Sequence, residues 1–307
     1  MTAITPLDIS GLDDVFLVAY CLVDDLYAEL APPALRERPR HERVEMSDAE
    51  VLTLSVMQEA LSMDSESSFL RFVRRNLSHL FPRLLARDRY SRRRRALTPM
   101  ALRLFRRLAD GFEQQARWLV IDSAPVETAA FVRSQSAGVS MPEAAYGYIP
   151  SKKRHFFGFR LHLVVTDEGA ISDFALCPAD VDERTVAREM LRRFAGHDVL
   201  ADNGYSGEEM QAAAGRAGYR LAVSPKQSQR PATREAALWR RWLRSKRDLI
   251  ETVFGMLADQ FKLETTRALS TRGLQTRLAA KVLGFNLSLT MNRLLGRDLL
   301  AVKSLYL

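Results

Sequence analysis

The stretch Arg117-Trp-Leu-Val-Ile-Asp122 is a short apolar run that ends in a carboxylate, a pattern typical of a buried β-strand. Further along, apolar residues alternate with others from Phe157 to Val165, which predicts a second strand with one apolar face. Thr166-Asp-Glu-Gly169 has the composition of a turn, and the run from Ile171 to Cys177 predicts a third strand. We therefore expect the second and third strands to form a hairpin.

Two further strands and the helices beside them complete the pattern. Asp198 to Asp202 is the fourth predicted strand, again ending in a carboxylate, and Tyr219 to Val223 is the fifth. Helices are predicted over Asp182–Phe194, after the capping residues Ser206–Glu209, over Arg234–Phe261 and over Thr271–Leu295. A hairpin followed by alternating strands and helices predicts a mixed α/β fold, in which helices flank a five-stranded mixed sheet.

The first hundred residues or so are predicted to be helical. Apolar residues recur at helical spacing from Val15 to Leu26. Ser47-Asp-Ala-Glu50 has the pattern of a capping box, and the apolar run Val51–Leu61 follows it. The arginine-rich run Arg87–Arg95 has two interpretations, a solvated loop or a stretch whose arginines contact phosphates, and the sequence favours neither.

Composition narrows the class of protein. The 307 residues carry a formal net charge of +8, which favours a polyanionic partner, nucleic acid before membrane, although a merely basic soluble protein has the same balance. Neither of the 2 cysteines lies in a CxxC motif and the 5 histidines lack metal-ligand spacing, so we expect no disulfide framework and no zinc site. No signal peptide or membrane-spanning run is recognisable, and we expect a cytoplasmic protein.

Three acidic residues, Asp122, Asp202 and Glu251, are the candidate catalytic and metal-binding carboxylates. Taken singly, each has an ordinary interpretation, since a strand-end Asp usually caps a turn and a helical Glu usually faces solvent. Together they match what phosphodiester cleavage needs. Two Mg²⁺ ions, with Mn²⁺ as a substitute, activate the attacking oxygen and stabilise the leaving one, and carboxylates are the ligands that such hard ions prefer.

The order and spacing of several motifs resemble one known family. These motifs are Ile121-Asp-Ser-Ala-Pro125, Tyr146–Lys153, Phe156–Leu163, Ala201-Asp-Asn-Gly-Tyr205, Lys246–Phe254, Arg272-Gly, Arg277, Lys281 and Asn286-Leu287. From about residue 115 to 295 the chain resembles the bacterial insertion-sequence transposases of the 982 family, within the DDE superfamily. It departs from the related pattern at Arg244, where a tyrosine is expected, and at Ala258, where a lysine is expected.

The resemblance implies a ribonuclease H-like sheet, in which the first and fourth strands are neighbours and Asp122 meets Asp202. It further implies a DDE transposase that binds terminal inverted repeats through its N-terminal helices, cleaves DNA with Mg²⁺ and joins the freed 3′-hydroxyl to target DNA. The expected partner is double-stranded DNA, transposon ends and target, bound by a homodimer at the nucleoid. The alternative is an inactive or repurposed transposase that acts only as a DNA-binding protein.

The expected domains are a helical DNA-binding region over residues 1–112, a catalytic domain over 113–297 and a C-terminal tail over 298–307. Candidate DNA-binding residues are Arg247, Lys246, Lys152, Lys153, Arg92 and Arg93. Trp239 and Trp242 have two interpretations, helix core or a surface that stacks on a flipped base.

Overall fold

The computed structural model describes residues 11–37, 45–129, 141–149, 152–225, 233–264 and 268–306. The chain divides into two compact units. Met1–Leu108 and Asp259–Leu307 form the first, and Ala109–Ala258 form the second. The expected boundary at residue 112 lies close to this division, whereas residues 259–297, expected with the sheet, group with the N-terminal helices.

The elements follow one another in this order. The first unit contains α1 (Leu12–Leu30), α2 (Pro33–Arg36), α3 (Asp48–Ala60), α4 (Glu66–Asn76), α5 (Arg87–Ala96) and α6 (Thr98–Glu113), whose last residues belong to the second unit. The second unit contains β1 (Leu119–Ala129), β2 (Ala145–Ile149), β3 (Arg154–Thr166), β4 (Ile171–Pro178), α7 (Glu183–Leu191), β5 (Asp198–Ala201), a 3₁₀ helix (Asn203–Tyr205), α8 (Glu208–Ala217), β6 (Arg220–Val223) and α9 (Arg234–Asp259). The chain returns to the first unit with α10 (Thr271–Leu294) and a second 3₁₀ helix (Val302–Leu305).

Helices α3 and α10 form the centre of the first unit, and both are buried on nearly every side. The predicted capping box is confirmed, because Ser47 Oγ accepts a hydrogen bond from the Glu50 amide at 3.0 Å and the Glu50 carboxylate accepts one from the Ser47 amide. The Glu59 carboxylate of α3 is fully buried and pairs with Arg277 and Lys281 of α10. A buried charge needs such partners, which explains why α10 groups with the N-terminal helices.

The arginine-rich run is a helix, α5, so the loop interpretation is wrong. Arginine is a good helix former, and Tyr90 and Arg94 provide this helix with a buried side. Arg94 is only 4 % exposed and donates hydrogen bonds to Ser55 at 2.7 Å and Gln58 at 3.0 Å, besides its ion pair with Glu59. One arginine of the run therefore stabilises the helical core.

The second unit is built on a mixed sheet with the strand order β2-β3-β1-β5-β6, and β4 also pairs with β3. Strand β2 pairs with Arg154–Gly158 and β4 with Phe159–Val165, so β2 and β4 lie end to end along one edge of β3. Strand β1 is antiparallel to β3 and parallel to β5. The mixed α/β class is confirmed, with the first and fourth predicted strands adjacent, and β2 is a sixth strand that was not predicted.

Strand β1 continues to Ala129, whereas the prediction ended it at Asp122. It pairs with β5 only at Leu119 and Val120 but stays paired with β3 along its whole length. Beyond Val120, β5 no longer pairs with this edge of β1. Pro125 is tolerated in this segment because its missing N–H is not needed for pairing with β5. Asp122 lies where β1 passes the end of β5. In the described part of the chain, no helix is long and apolar enough to cross a membrane.

Candidate active site

Asp122 on β1 and Asp202, the residue directly after β5, occupy equivalent positions relative to the pairing of these parallel strands. Val120 pairs with Leu200, and each aspartate follows its pairing residue by two positions. Because side chains alternate between the faces of a strand, both carboxylates point to the face opposite the Ile121 and Ala201 side chains, which pack in the apolar core with α7 and α8. Adjacent strands are about 4.8 Å apart, so the pairing brings the two carboxylates together.

The pKa of the Asp122 carboxyl depends on its burial and on nearby charges, that of Asp202 among them. Burial is the largest effect and raises the pKa of the Asp122 carboxyl to about 6 from the usual 3.8. A hydrogen bond of 2.8 Å from the Ser123 amide lowers the pKa, the Asp202 charge raises it and the Arg247 charge lowers it. Arg247 Nη2 lies 3.9 Å from Asp122 Oδ2. A cation placed beside Asp122 and Asp202 would relieve both the burial of charge and the mutual repulsion.

The turn after β5 holds the second carboxylate in place. Asp202 caps the 3₁₀ helix, and its Oδ1 accepts a hydrogen bond of 2.7 Å from the Gly204 amide. A Cβ at Gly204 would lie 2.9 Å from the same oxygen, so glycine allows this close approach. Tyr205, the last residue of this 3₁₀ helix, is buried in the apolar core of the unit. Burial first, and then the Asp122 charge, raises the pKa of Tyr205.

Glu251 is placed differently from the two aspartates. It is exposed on α9 and lies four residues after Arg247, hence on the same helical stripe and about 6 Å further along the axis. Within the described ranges, no group of three or more His, Cys, Asp or Glu side chains is placed to hold a metal ion. Strand pairing and charge therefore relate Asp122 to Asp202, while a place for Glu251 in the same site stays a prediction.

A further acid, Glu183, influences the pKa of Asp122, and it was not among the predicted site residues. It begins α7, its charge raises the pKa of Asp122, and its Oε1 lies 2.9 Å from Arg160 Nη1. From the sequence alone, Asp182-Glu183 is an ordinary helix start, with an N-cap followed by an acid in the first turn. Nothing in the local pattern distinguishes it from a capping acid.

The candidate DNA-binding residues lie in varied surroundings. Lys246 Nζ lies 5.7 Å from the centre of the Trp118 ring and 5.9 Å from that of Trp242. Lys152 and Lys153 are exposed beside the start of β3. In the helical unit Arg92 is exposed. Arg93 is instead engaged, donating hydrogen bonds to Asp48 Oδ1 at 2.5 Å and to the Met46 carbonyl at 2.6 Å.

Trp239 and Trp242 are not core residues. They are 51 % and 37 % exposed, and their rings stack on each other with centres 4.9 Å apart and planes at 12°. The core interpretation is therefore wrong.

Comparison with known proteins gives one matching family model and two similar solved structures. A family model described as a transposase DDE domain matches residues 113–271. A piggyBac transposase synaptic complex with hairpin DNA is similar at 12% identity and a TM-score of 0.46, over 97% of this chain and 79% of that one. A Mos1 transposase paired-end complex is similar at 9% identity and a TM-score of 0.22, over 74% of this chain and 80% of that one. A comparison with curated proteins gave no match. Since the family model covers more than half of its length, the chain belongs to the transposase DDE domain family.

Proposed function

We propose that the chain is the transposase of a bacterial insertion sequence of the 982 family, which binds the terminal inverted repeats, cleaves the DNA ends and joins them to target DNA. The observation that carries this proposal is the matched position of Asp122 on β1 and Asp202 at the end of β5, with Arg247 beside Asp122. Two carboxylates next to an arginine suit a metal-dependent reaction at a phosphodiester, because the metal needs oxygen ligands and the substrate is an anion.

The donor set fits hard divalent cations. Every donor is an oxygen, and the charge of Asp202 disfavours the ionised form of the buried Asp122 carboxyl. Asp122 and Asp202 would hold Mg²⁺ or Mn²⁺, with Glu251 as the proposed third ligand and a site for two ions. Such ions, when bound, activate an attacking oxygen and stabilise the leaving oxygen of an in-line displacement.

Asp122, Asp202 and Arg247 would contribute to the reaction in different ways. Asp122 and Asp202 are held by strand pairing and by backbone amides, so their carboxylates are oriented before any substrate arrives. Arg247 provides a fixed positive charge at the carboxylate pair, which favours binding of a phosphate there. The same site would serve two nucleophiles in turn, water for cleavage and the freed 3′-hydroxyl for strand transfer.

The active form is expected to be a DNA-bound homodimer, because two transposon ends have to be brought together. Its DNA-binding candidates remain Arg247, Lys246, Lys152, Lys153, Arg92 and Arg93, the last of which would have to leave its ion pair with Asp48 to contact a phosphate.

The test is a cleavage assay with Mg²⁺ or Mn²⁺ on a linear duplex that carries the element's terminal repeats. We expect Asp202→Asn to lower cleavage by more than about 100-fold, since even residues that only orient metal ligands contribute 10–100-fold. Asp198→Asn is the matched control. Asp198 begins the same strand, and its exposed ion pair with Arg220 contributes little.

Equal cleavage by Asp202→Asn and the parent protein would contradict the metal site. If the parent retains the repeat DNA but cleaves it with neither metal, the chain is a DNA-binding protein derived from a transposase. If cleaved ends accumulate without joined products, the chain is a nuclease that lacks strand transfer.

A further inference from the structure

Helix α1 is acidic, although the chain as a whole is basic. The formal net charge of the chain is +8. The 19 residues of α1 contain no lysine or arginine, and its acids are Asp13, Asp14, Asp24, Asp25 and Glu29. DNA is a polyanion, and the charge of α1 would repel it. The exposed surface of this helix is therefore suited to a protein partner and not to DNA.

The exposed residues of α1 form one continuous stripe. Asp13, Leu17, Cys21, Asp24 and Ala28 are all exposed. Their spacings of four, four, three and four residues place them on the same face of the helix. The opposite face is buried in the helical unit. The stripe is thus available along the whole length of α1.

The middle of this surface is apolar. Leu17 is 49 % exposed and lies in the rim of a groove of about 200 Å³. The other lining residues of the groove are Phe16, Tyr20, Glu50, Leu80 and Phe81. An apolar centre within a charged rim is the usual composition of an interface between proteins.

Basic residues lie near one end of the stripe. Arg74 and Arg75 are in the last turn of α4, are exposed and form no ion pair within the described part of the chain. A few residues later, His79 Nε2 lies 3.0 Å from Asp13 Oδ2. This contact joins the segment after α4 to the first turn of α1, so the two arginines lie toward the N-terminal end of the stripe.

The other end of the stripe is acidic. Asp24 and Asp25 lie in the second half of α1, are exposed and have no ion-pair partner among the residues that the structure describes. The surface therefore has a basic end, an apolar centre and an acidic end. A two-fold axis through the centre places each end against the opposite end of a second copy, so the surface is complementary to itself.

We propose that α1 and the last turn of α4 form the interface between two copies of this chain. The two α1 helices lie antiparallel across a two-fold axis at the level of Ala19, and Asp24 and Asp25 of each copy face the partner's Arg74 and the partner's Arg75. The proposal rests on the proposed function in giving a surface to its homodimer. It differs in predicting that the dimer forms without DNA.

The antiparallel arrangement determines which residues meet near the axis. Leu17 and Cys21 lie two residues before and two after Ala19, so Leu17 of one copy lies opposite the partner's Cys21. Packed helices are about 8–10 Å apart, which places the two Cys21 thiols within reach of a short bismaleimide. Cys21 is exposed, whereas Cys177, the other free cysteine, is half-buried.

The first experiment measures the dimer dissociation constant of the full chain by sedimentation velocity, without DNA. We expect D24R/D25R to weaken the dimer by at least about tenfold, because each substitution places like charges together in both halves of the interface. R74E/R75E should weaken it similarly. An equimolar mixture of the two double variants should dimerise like the parent, since opposite charges then meet in both halves of the mixed dimer.

Recovery on mixing also separates a lost interface from a folding defect, because misfolded chains would not recover. The control is E208R/E235R, which replaces exposed acids in the first turns of α8 and α9 and changes the net charge by the same amount as D24R/D25R. It should keep the parental dissociation constant.

The second experiment tests the position of the axis by cross-linking. In the Cys177→Ser background, a short bismaleimide should give a covalent dimer through Cys21. The yield should fall when D24R/D25R is added to this background. Cys21→Ser should give no covalent dimer.

A parent chain that stays monomeric at tens of micromolar would overturn the proposed interface, and so would a dimer that D24R/D25R leaves unchanged. A dimer that Cys21 fails to cross-link would overturn the antiparallel arrangement. If any of these results accompanies Asp202-dependent cleavage of the repeat DNA, the proposed function stands without this interface. A dimer that behaves as expected in a chain that neither binds nor cleaves DNA would support the interface and contradict the proposed function.

Discussion

At the scale of single residues, two acids compete for the role of third carboxylate. Glu251 has the helix and the neighbouring arginine that the family resemblance implies, but it is exposed and belongs to no metal-holding group of three acids among the described residues. Glu183 already acts on Asp122, yet it is tied to Arg160 at 2.9 Å. Since Glu251 shares a helix stripe with Arg247, whose Nη2 lies 3.9 Å from Asp122 Oδ2, we assign the role to Glu251.

This assignment predicts different effects for two conservative variants in the cleavage assay. Glu251→Gln should lower cleavage by more than about 100-fold, as for the loss of a metal ligand, while Glu183→Gln should have a smaller effect. The free protein should keep its melting temperature in Glu251→Gln because the side chain is exposed. The reverse order of activities would place Glu183 in the metal site.

At the scale of elements, Glu59 joins three helices through buried ion pairs. It lies on α3 and pairs with Arg94 of α5 and with Arg277 and Lys281 of α10. Burial alone would raise the pKa of Glu59, but the charges of Lys281, Arg94 and Arg277 outweigh it and lower the pKa to about 2. The native state therefore keeps this carboxylate ionised at pH values where the unfolded chain protonates it.

The pH dependence of stability follows from that difference. The contribution of Glu59 is fully present above about pH 4.5 and is lost as the pH falls toward 2. At pH 7 Glu59→Gln should lower the free energy of unfolding by about 3–5 kcal/mol, because it leaves buried cations unpaired. The difference from the parent should shrink between pH 4.5 and 2.5. Urea unfolding at both ends of this range measures it.

The control for this prediction is Glu45→Gln. Glu45 forms an exposed ion pair with Arg89 at 2.9 Å, and such pairs contribute about 0–1 kcal/mol. A loss at pH 7 for Glu59→Gln no larger than this control would contradict the network's role.

The helices and strands also show how much of the fold the sequence alone predicts. Apolar runs and alternation predicted five strands, and the family resemblance implied that the first and fourth strands are neighbours, with Asp122 beside Asp202. Strand β2 was not predicted because Tyr146 and Tyr148 are exposed and its buried positions are Gly147, which has no side chain, and Ile149. The Glu59 partner of Arg94 lies 35 residues away in the chain, so local charge could not show that this arginine is buried. Helical spacing predicts that Glu251 and Arg247 share one face of α9, but it does not predict the distance between Glu251 and the two aspartates.

At the scale of the whole molecule, the helical unit is assembled from both ends of the chain. Residues 259–307 contribute α10, whose Arg277 and Lys281 neutralise Glu59, and Thr276 Oγ1 lies 2.9 Å from Thr98 Oγ1 of α6. Residues 1–112 alone would keep α3 but lose these partners. Glu59 would keep only Arg94 of the three cations, and removing partners from a buried ion pair costs several kcal/mol, comparable with the whole stability of a small domain.

We therefore predict that residues 1–112 alone do not fold cooperatively. A chain in which a flexible linker joins residue 108 directly to residue 259 should fold, because every partner of the helical unit is then present. Circular dichroism and thermal unfolding of the two chains test this, with Lys281→Met in the linked chain as a variant that should lose stability. A cooperative transition in residues 1–112 alone would show that α10 is dispensable. The helical region would then be a unit of contiguous sequence.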